Sequence, residues 1–497
     1  MSGRLFHLTV VTWVLLAAQA AHADISISSK PTQNMSCNAG VCVPTARNAV
    51  LNIDDLTNML SNGDLTVQTG DGDGTAAAIT IADGFSWTSA SRLILSAQKN
   101  IRVKAPVTVA GTGALKLSYG KGNPESDLRF ERKGKVDFWD LDSSLIINDV
   151  GYRLVGDVKT LGAAIANNPA GAYALANDYD AAADGSKKTP VRVQFSGSFE
   201  GLGHLINNLS LQGSVRLGSH GHYTGLFPYL LAGSLVRDLT LRHVNVIAAT
   251  GQTHMGAIAG TNEGTIARVI VSGKVSGSGD QSYIGSIVGF NIGMLRDSAA
   301  TGISVGSGGH NGSTGGLVGL NYHSGSIIRS AAIGTVSSSG GGLAGDNLGA
   351  ISQSYADVAV TGDAAGGLAE RTYGQINNSY SLGAVSGTEV GGFAAANYSY
   401  VRSSYSTGAV SGRYHGGFVD WSDKDAVESS DYWDLNTSGI SDPSQGCGVH
   451  PPNCPGVTGL KDKDLKSRLP DGFDPKIWGQ SPHINHGYPY LLANPPQ

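Results

Sequence analysis

Charged residues are scarce in this chain. They make up 15% of its 497 residues, whereas ordinary globular domains carry roughly 25%. Lys and Arg together number only 34 and the formal net charge is −5, which argues against nucleic acid as a partner. Apolar runs are short too, and none after the N-terminal segment is long enough to cross a membrane as a helix. The composition favours an extracellular protein with a polar, nearly neutral surface.

Motifs that carry chemistry are also missing. The sequence has no Ser-His-Asp elbow, no phosphate-binding loop and no zinc-binding helix motif. An enzyme that cleaves polysaccharides needs paired carboxylates that converge on one groove. The candidates are Asp346 and Glu370, which fall at nearby offsets of adjacent repeats, beside Arg371. Solvated turn residues explain them more simply, so the sequence predicts no catalytic centre, no cofactor and no metal site.

Cysteine is limited to four residues in two local pairs, Cys37 with Cys42 and Cys447 with Cys454. Each pair could close a small disulfide loop in an oxidising compartment, or all four could bind one metal ion. The four and six residues that separate the partners are looser than the spacing of most zinc sites, and the pairs lie some 400 residues apart. The spacing favours two disulfides.

The first 23 residues predict an export signal. Arg4 provides the positive end, residues 8–18 the apolar stretch and residues 21–23 (Ala-His-Ala) the small-residue cleavage site. The apolar stretch is too short to span a membrane. We therefore expect a mature chain that starts near Asp24 and is secreted or displayed on a cell surface.

Glycine, by contrast, is abundant, with 70 residues, and from residue 223 to about 430 it marks a repeat. Successive anchor glycines, each followed by small apolar residues, are 31, 29, 30, 26, 25, 25 and 25 residues apart. They are Gly225, Gly256, Gly285, Gly315, Gly341, Gly366, Gly391 and Gly416. A unit this short cannot bury its own apolar face and must stack on its neighbours. Short apolar runs separated by Gly, Asn and Ser predict strands and tight corners, and hence a β-solenoid.

Two columns of side chains recur at fixed offsets within the repeats. An asparagine stands six residues after the anchor in five units: Asn262, Asn291, Asn321, Asn347 and Asn397. Asn tolerates the left-handed conformation of a sharp corner, and its amide can bond to the same residue one turn away. We therefore predict a structural ladder and not a ligand-binding set. A second column, Tyr355, Tyr380 and Tyr405, is expected to stack in the same way.

The sequence divides into six segments. They are a signal peptide (1–23), a leader with one cysteine pair (24–50), irregular strand-rich turns (51–150), a connector with a helix (151–194), the repeats (195–430) and a C-terminal cap with the other cysteine pair (431–497). In the connector, residues 157–168 have helical spacing, with Asp157 placed to cap the start and Pro169 to end it. The charged stretch 123–135 predicts a loop, and residues 461–466 a second short helix. The predicted fold is all-β: a right-handed parallel β-helix with one packing helix and a cap.

Residues 195–211 (FSGSFEGLGHLINNLSL), together with the glycine anchors, resemble the GLUG-motif repeat of bacterial surface proteins. The preceding segments ITIADGFSW and LILSAQKNIRV are similar to the haemagglutination-repeat β-helix of filamentous-haemagglutinin-type exoproteins. The resemblance covers about residues 51–492. It implies a bacterial adhesin-like protein, exported through the periplasm, whose partners are an extracellular glycan, matrix or cell surface and an outer-membrane transporter. β-Helices also carry polysaccharide lyases and glycoside hydrolases, which is the alternative function.

Overall fold

The chain folds into a parallel β-solenoid of about 15 turns, which confirms the predicted all-β, parallel β-helix class. The structure is a computed structural model that describes residues 24–70, 78–120, 126–185, 187–218, 221–248, 251–307, 312–450 and 454–496. The predicted signal peptide, residues 1–23, lies outside the described residues.

Three sheets, parallel except for one antiparallel pair (Met35–Asn38 with Val41–Pro44), form the described part of the N-terminal half. The first contains Ala49–Asn52, Ile25–Ser28, Ile79–Ile81, Ile101–Val103 and Leu128–Phe130 in spatial order. The second contains Phe85–Trp87, Val107–Val109 and Val136–Phe138. The third contains Met35–Asn38, Val41–Pro44, Leu65–Gln68, Arg92–Ala97, Ala114–Tyr119 and Ser144–Ile147. Alternate side chains point inward and fill this half with buried Ile, Leu and Val. The charged stretch 123–135 is therefore not all loop, as the sequence predicts, because Leu128–Phe130 pairs with the turn before it.

Ten strands of the repeat half form one straight parallel sheet, which we call the asparagine sheet. Its strands, in order, are Gln194–Phe195, Phe227–Leu230, Ala259–Asn262, Val288–Asn291, Val318–Asn321, Ala344–Asn347, Ala369–Thr372, Ala394–Asn397, Val419–Ser422 and Cys447–His450. Each repeat adds one strand, and neighbouring repeats pair at equivalent positions of the unit. Repeats of 25, 26 and 30 residues thus share one register in this sheet.

The other strands of the repeats join a larger, mainly parallel sheet. They are Ser198–Glu200, Leu205–Asn207, Ser210–Gln212, Val215–Arg216, His222–Thr224, Leu235–Ala248, Thr253–Met255, Thr265–Gly277, Tyr283–Gly285, Met294–Arg296, Ala299–Ser307, Ser313–Gly315, Ser326–Ile328, Ala331–Val336, Gly340–Gly341, Ala350–Ser352, Tyr355–Gly366, Gln375–Asn377, Tyr380–Ser381, Val385–Gly391, Tyr400–Arg402, Tyr405–Ser406, Val410–Gly416, Val427–Ser429, Asp431–Asp434 and Val457–Leu460. The connector adds Val150–Val155, Ala172–Leu175 and Tyr179–Asp180 to this sheet, and Trp478–Gly479 pairs antiparallel with Tyr490–Leu491 near the C terminus.

The anchor glycines stand where the chain passes from the larger sheet into the asparagine sheet. The corner is so tight that a Cβ at Gly391 would lie 1.7 Å from the carbonyl oxygen of Ala394. At Gly416 the corresponding distance, to the oxygen of Val419, would be 1.8 Å. No side chain fits at such distances, which explains why the repeat keeps glycine here.

Three α-helices interrupt the strands in the part of the chain that the structure describes. Helix α2, Val158–Asn167, is the one predicted in the connector, and Asp157 caps it by accepting a hydrogen bond from the Thr160 amide at 2.6 Å. Helix α3, Asp462–Leu465, falls where the second short helix was predicted. Helix α1, Ile53–Leu60, was not predicted, although Asn52 caps it. None of the helices in the described part of the chain is long and apolar enough to cross a membrane. Short 3-10 helices occupy Ala181–Asp184, Pro443–Gly446 and Asn485–Gly487.

The asparagines form a continuous hydrogen-bonded column inside the solenoid. Asn262 donates its side-chain N–H to the Asn291 Oδ1, Asn291 to Asn321, and Asn321 to Asn347, each at 2.8 Å. Asn347 donates to the hydroxyl of Thr372, which replaces asparagine in the next unit, at 3.0 Å. All five side chains are buried. Their hydrogen bonds are thus used on one another and hold the turns in register.

The Thr372 hydroxyl donates to the Gly374 carbonyl, which ends this run of bonds, and the last asparagine, Asn397, bonds to a carboxylate instead. Asn397 donates to the Glu428 Oε1 at 2.7 Å, and the Ser422 hydroxyl donates to the same oxygen at 2.7 Å.

Both disulfides predicted from the spacing are present, between Cys37 and Cys42 and between Cys447 and Cys454.

The segment after residue 460 runs along the side of the solenoid. The rings of Tyr355, Tyr380 and Tyr405 stack nearly parallel, with centroids 4.8 and 5.1 Å apart, and the segment covers this column. The Trp478 indole N–H donates to the Asn378 Oδ1 at 3.1 Å, and the Tyr405 hydroxyl donates to the Pro489 carbonyl at 2.6 Å. The sequence predicts that the C-terminal segment caps the end of the solenoid. In the structure the part after residue 460 covers one side, because the tyrosine column is apolar and faces outward from its sheet.

We predict that Asn321→Ala destabilises the repeats by about 2–5 kcal/mol, because it leaves the amides of Asn291 and Asn347 without their partner and opens a cavity. The matched control is Asn377→Ala, at a half-buried position outside the column, for which we expect less than about 1 kcal/mol. Urea unfolding followed by circular dichroism measures both. Equal shifts of the two unfolding midpoints would contradict a stabilising role for the column.

Candidate functional site

A groove of about 640 Å³ opens on the outer surface of the repeats between residues 364 and 421. We call it the acidic groove. Three acidic and three aromatic side chains line it: Glu370, Glu389, Asp420, Tyr398, Tyr414 and Trp421. The groove brings Glu370, one of the two carboxylates that the sequence singled out, together with aromatic side chains.

The groove exists because one repeat has small residues where its neighbours have large ones. In the asparagine sheet, Ala396 is aligned with Arg371 on one side and Trp421 on the other. Adjacent strands lie about 4.8 Å apart, so a missing side chain leaves a gap roughly 10 Å wide along the axis. Glu389, in the larger sheet, is aligned with Ala364 and Tyr414 and forms the facing wall.

Glu370 is the most buried acid of the groove, with 2% of its surface exposed. Its Oε1 accepts a hydrogen bond from an Arg371 guanidinium N–H at 2.7 Å, whereas its buried Oε2 has no hydrogen-bond partner. Burial, the largest cause, raises the pKa of Glu370 to about 7; Arg371 opposes this rise and Asp346 adds to it. The Arg371 Nε lies 3.1 Å from the Asp346 Oδ1, but without the geometry of a hydrogen bond. The structure therefore brings together the two carboxylates that sequence analysis proposed as a pair.

Asp420 is a further acid that sequence analysis did not single out. Its side chain is 7% exposed, and its Oδ1 has no hydrogen-bond partner. Burial raises its pKa to about 6; the nearby Glu389 carboxylate adds to the rise and His415 opposes it. The sequence repeat could have pointed to Asp420, because it stands two 25-residue repeats after Glu370. Two acids that line the groove thus each carry one buried carboxylate oxygen without a hydrogen-bond partner.

The aromatic residues were also missed, because sequence analysis followed only the buried tyrosine column. Tyr398, Tyr414 and Trp421 are 37%, 39% and 43% exposed. Tyr398 is held by the ring of Tyr373, with centroids 4.6 Å apart and planes 6° from parallel. The guanidinium of Arg413 lies 5.1 Å from the centre of the Tyr414 ring. Side chains this apolar and this exposed present flat faces to a ligand.

A second polar cluster lies between the N-terminal half and the repeats. Arg237 contacts Glu200, and Arg268 donates to Asp127 at 2.6 Å and to Asp238 at 2.6 and 2.7 Å. The cluster is almost fully buried. Its charges are paired with one another, so it joins the two halves and presents no open surface to a ligand.

Metal ligands are grouped at one place in the described part of the chain. There, one oxygen of Glu428 and the sulfurs of Cys447 and Cys454 lie within 4.8 Å of one another. The two cysteines are joined in a disulfide, so their sulfurs are not the thiolates that bind metals. The carboxylates of the acidic groove do not form a comparable group among the described residues.

Comparison with known proteins gives little beyond the fold. No family model matches the chain, so the GLUG-motif resemblance stays a prediction. Halomucin of Haloquadratum walsbyi is 29% identical over 199 residues, which is 39% of this chain but 2% of the length of halomucin. The crystal structure of "a putative immunoglobulin A1 protease from Bacteroides ovatus" covers 65% of this chain and 85% of its own, with 16% identity and a TM-score of 0.31. A TM-score this low carries no argument about function.

We predict that Glu370 makes the stability of the protein depend on pH. Its pKa, about 7 when folded, exceeds the ordinary value of 4.5. Between these pH values the folded protein keeps a proton on Glu370 that the unfolded chain has released. Protonated Glu370 therefore contributes its full stabilisation below about pH 4.5, and that stabilisation is lost as the pH rises to about 7. Glu370→Gln removes it, and the fall in unfolding free energy across that window should shrink by up to about 3 kcal/mol.

Urea unfolding of the wild-type protein and of Glu370→Gln at pH 5 and pH 8 measures this difference. The unfolding free energy of the variant, relative to that of the wild type, should be higher at pH 8 than at pH 5. An identical pH dependence of the two proteins would show that the Glu370 carboxyl titrates normally.

Proposed function

We propose that this chain is an exported, adhesin-like protein that binds an extracellular glycan in the acidic groove and does not cleave it. One observation carries the proposal: exposed aromatic side chains and acidic side chains line the same groove. Export is supported by the predicted signal peptide and by the two disulfides, which persist in oxidising compartments. The filamentous-haemagglutinin resemblance adds an outer-membrane transporter as the proposed route to the surface.

The chemistry of the groove suits a sugar ring. A sugar has hydroxyl groups around its edge, and carboxylate oxygens accept hydrogen bonds from them. Its carbon–hydrogen face is apolar, and the rings of Tyr398 and Trp421 offer apolar surfaces against which it can pack. The volume of about 640 Å³ falls within the ~300–1,000 Å³ of ordinary small-molecule sites. A short stretch of a polysaccharide is therefore a fitting occupant.

We predict that Trp421→Ala weakens glycan binding about tenfold or more, because it removes the largest apolar contact surface of the groove. The matched control is Tyr400→Ala, since Tyr400 is an exposed aromatic residue of the same repeats that does not line the groove. A glycan array probed with the mature protein identifies ligands, and calorimetry then measures their affinities. Equal affinities of the two variants would place the binding surface elsewhere.

A second candidate function is glycoside hydrolysis, favoured by the positions of Glu370 and Asp420. They stand two turns apart, which separates their backbones by roughly 10 Å along the axis. Inverting glycosidases hold their two carboxyl groups ~6.5–9.5 Å apart, with a water between. The raised pKa of Glu370 suits a general acid, and Asp420 would accept a proton from the attacking water.

Incubation with neutral, acidic and amine-bearing polysaccharides tests this second function through the release of reducing ends. Under the binding proposal we expect none. Release that is abolished by both Glu370→Gln and Asp420→Asn, with Trp421→Ala as a variant that loses binding, would make the protein a hydrolase. Release that neither carboxylate variant affects would point to a contaminating enzyme.

A further inference from the structure

We propose that the ligand of the acidic groove is an amine-bearing glycan, a polymer of hexosamines with free amino groups, whose ammonium group lies among Glu370, Glu389 and Asp420. This inference rests on the proposed function and names the ligand class of the same site. It comes from the charge of the groove, from its two unpartnered carboxylate oxygens and from its aromatic walls.

The charge of the groove is strongly negative for such a lightly charged protein. Glu370, Glu389 and Asp420 line it, and Asp346 lies directly behind Arg371. Arg371 is the one cation in the lining, and its guanidinium is already engaged by Asp346 and Glu370. A uronate or sulfated glycan would bring like charges together, whereas a cationic glycan is attracted.

A carboxylate without enough hydrogen-bond partners is stabilised by a ligand that donates hydrogen bonds to it. Glu370 and Asp420 both line the groove, and each has one buried carboxylate oxygen, Oε2 and Oδ1 respectively, that lacks a hydrogen-bond partner. The Asp420 Oδ1 lies against the backbone of Gly448. An ammonium group carries three N–H donors and no acceptor, and it neutralises the carboxylates that it bonds. A hydroxyl supplies one donor and no charge. The ammonium is therefore the better complement to this pair.

The aromatic walls fit both parts of a hexosamine. The face of an aromatic ring attracts a cation within about 6 Å, and the exposed faces of Tyr398 and Trp421 also suit the apolar face of a sugar ring. A lysine side chain would satisfy the carboxylates but would leave most of the 640 Å³ unfilled. The volume and the aromatic surface favour the glycan over a basic peptide.

The affinity of the groove for an ammonium group should fall as the solution becomes more acidic. Glu370 is faced by Arg371, Asp346 and Glu389, and Asp420 by Glu389 and His415. With pKa values of about 7 and about 6, these two carboxyls hold protons in mildly acidic solution. An ammonium bonds the ionised form, so it must displace those protons, and its affinity should fall as the pH is lowered from 7 to 5. A neutral sugar should show little of this dependence.

The experiment titrates the mature protein, by calorimetry at pH 6.5, with four oligosaccharides of equal length. They are glucosamine oligomers with free amines, the same oligomers after N-acetylation, glucose oligomers and galacturonate oligomers. We expect the free-amine oligomers to bind about tenfold or more tightly than the N-acetylated ones, and the galacturonate oligomers to bind weakest. Glu370→Gln and Asp420→Asn should each weaken free-amine binding about tenfold and change the affinity for N-acetylated oligomers by less than about threefold. The control Asp425→Asn, at an exposed acid outside the groove, should change neither.

The possible outcomes separate this inference from the proposed function. If the N-acetylated, neutral or galacturonate oligomers bind as tightly as the free-amine ones, the amine inference is wrong and glycan binding stands. If an oligolysine peptide binds more tightly than the free-amine oligomers, the ligand is a basic peptide and the inference of a glycan is wrong, although the groove still binds cations. If no glycan of any kind binds, both proposals fail. Using two carboxylate variants keeps the test valid should one of them fold poorly.

Discussion

The structure depends on one constraint: every turn must return to the same register on the turn before it. Strands stacked about 4.8 Å apart place equivalent residues directly over one another, and a buried polar side chain is tolerated only if its neighbour completes its hydrogen bonds. The asparagine column meets that requirement with four successive bonds. A slip of one residue would break all of them and turn the apolar side chains outward. Units of 29, 30 and 26 residues make the same bond at 2.8 Å, so the register is kept while the length of the turn varies.

The same register shapes the outer surface, where no buried bond enforces a particular residue. Outward columns are free to vary, and the acidic groove arises where Ala395 and Ala396 interrupt such a column between larger residues. The strands on either side are fixed by the interior ladder, so the walls of the groove hold their positions without a ligand. Binding of the proposed glycan would therefore cost little reorganisation of the protein.

This division between inside and outside explains what the sequence could predict. Interior positions repeat, so the anchors, the asparagine and tyrosine columns and the solenoid itself could be inferred from spacing alone. Helix α2 could be inferred too, from its cap and its apolar periodicity. Helix α1 was missed because the surrounding segment alternates like strands, although Asn52 caps it and Leu56 and Leu60 are spaced as on one helix face. The exposed aromatic residues were missed because an outward column carries no repeated signal, and Asp420 was missed although it stands two 25-residue repeats after Glu370.

The last turn of the solenoid also sets the chemistry of the groove. The strand Cys447–His450 pairs with the strand that carries Asp420, and a Cβ at Gly448 would lie 2.4 Å from the Asp420 Oδ1. This close cover is what buries Asp420, and burial is the main reason why its pKa is raised. The disulfide to Cys454 holds the covering strand at its first residue. Opening the disulfide would loosen that strand, let water reach the carboxylate and return its pKa toward the ordinary value. The disulfide thus acts on the groove through the burial of one carboxylate, and the oxidising compartment of the proposed exported protein would maintain that burial.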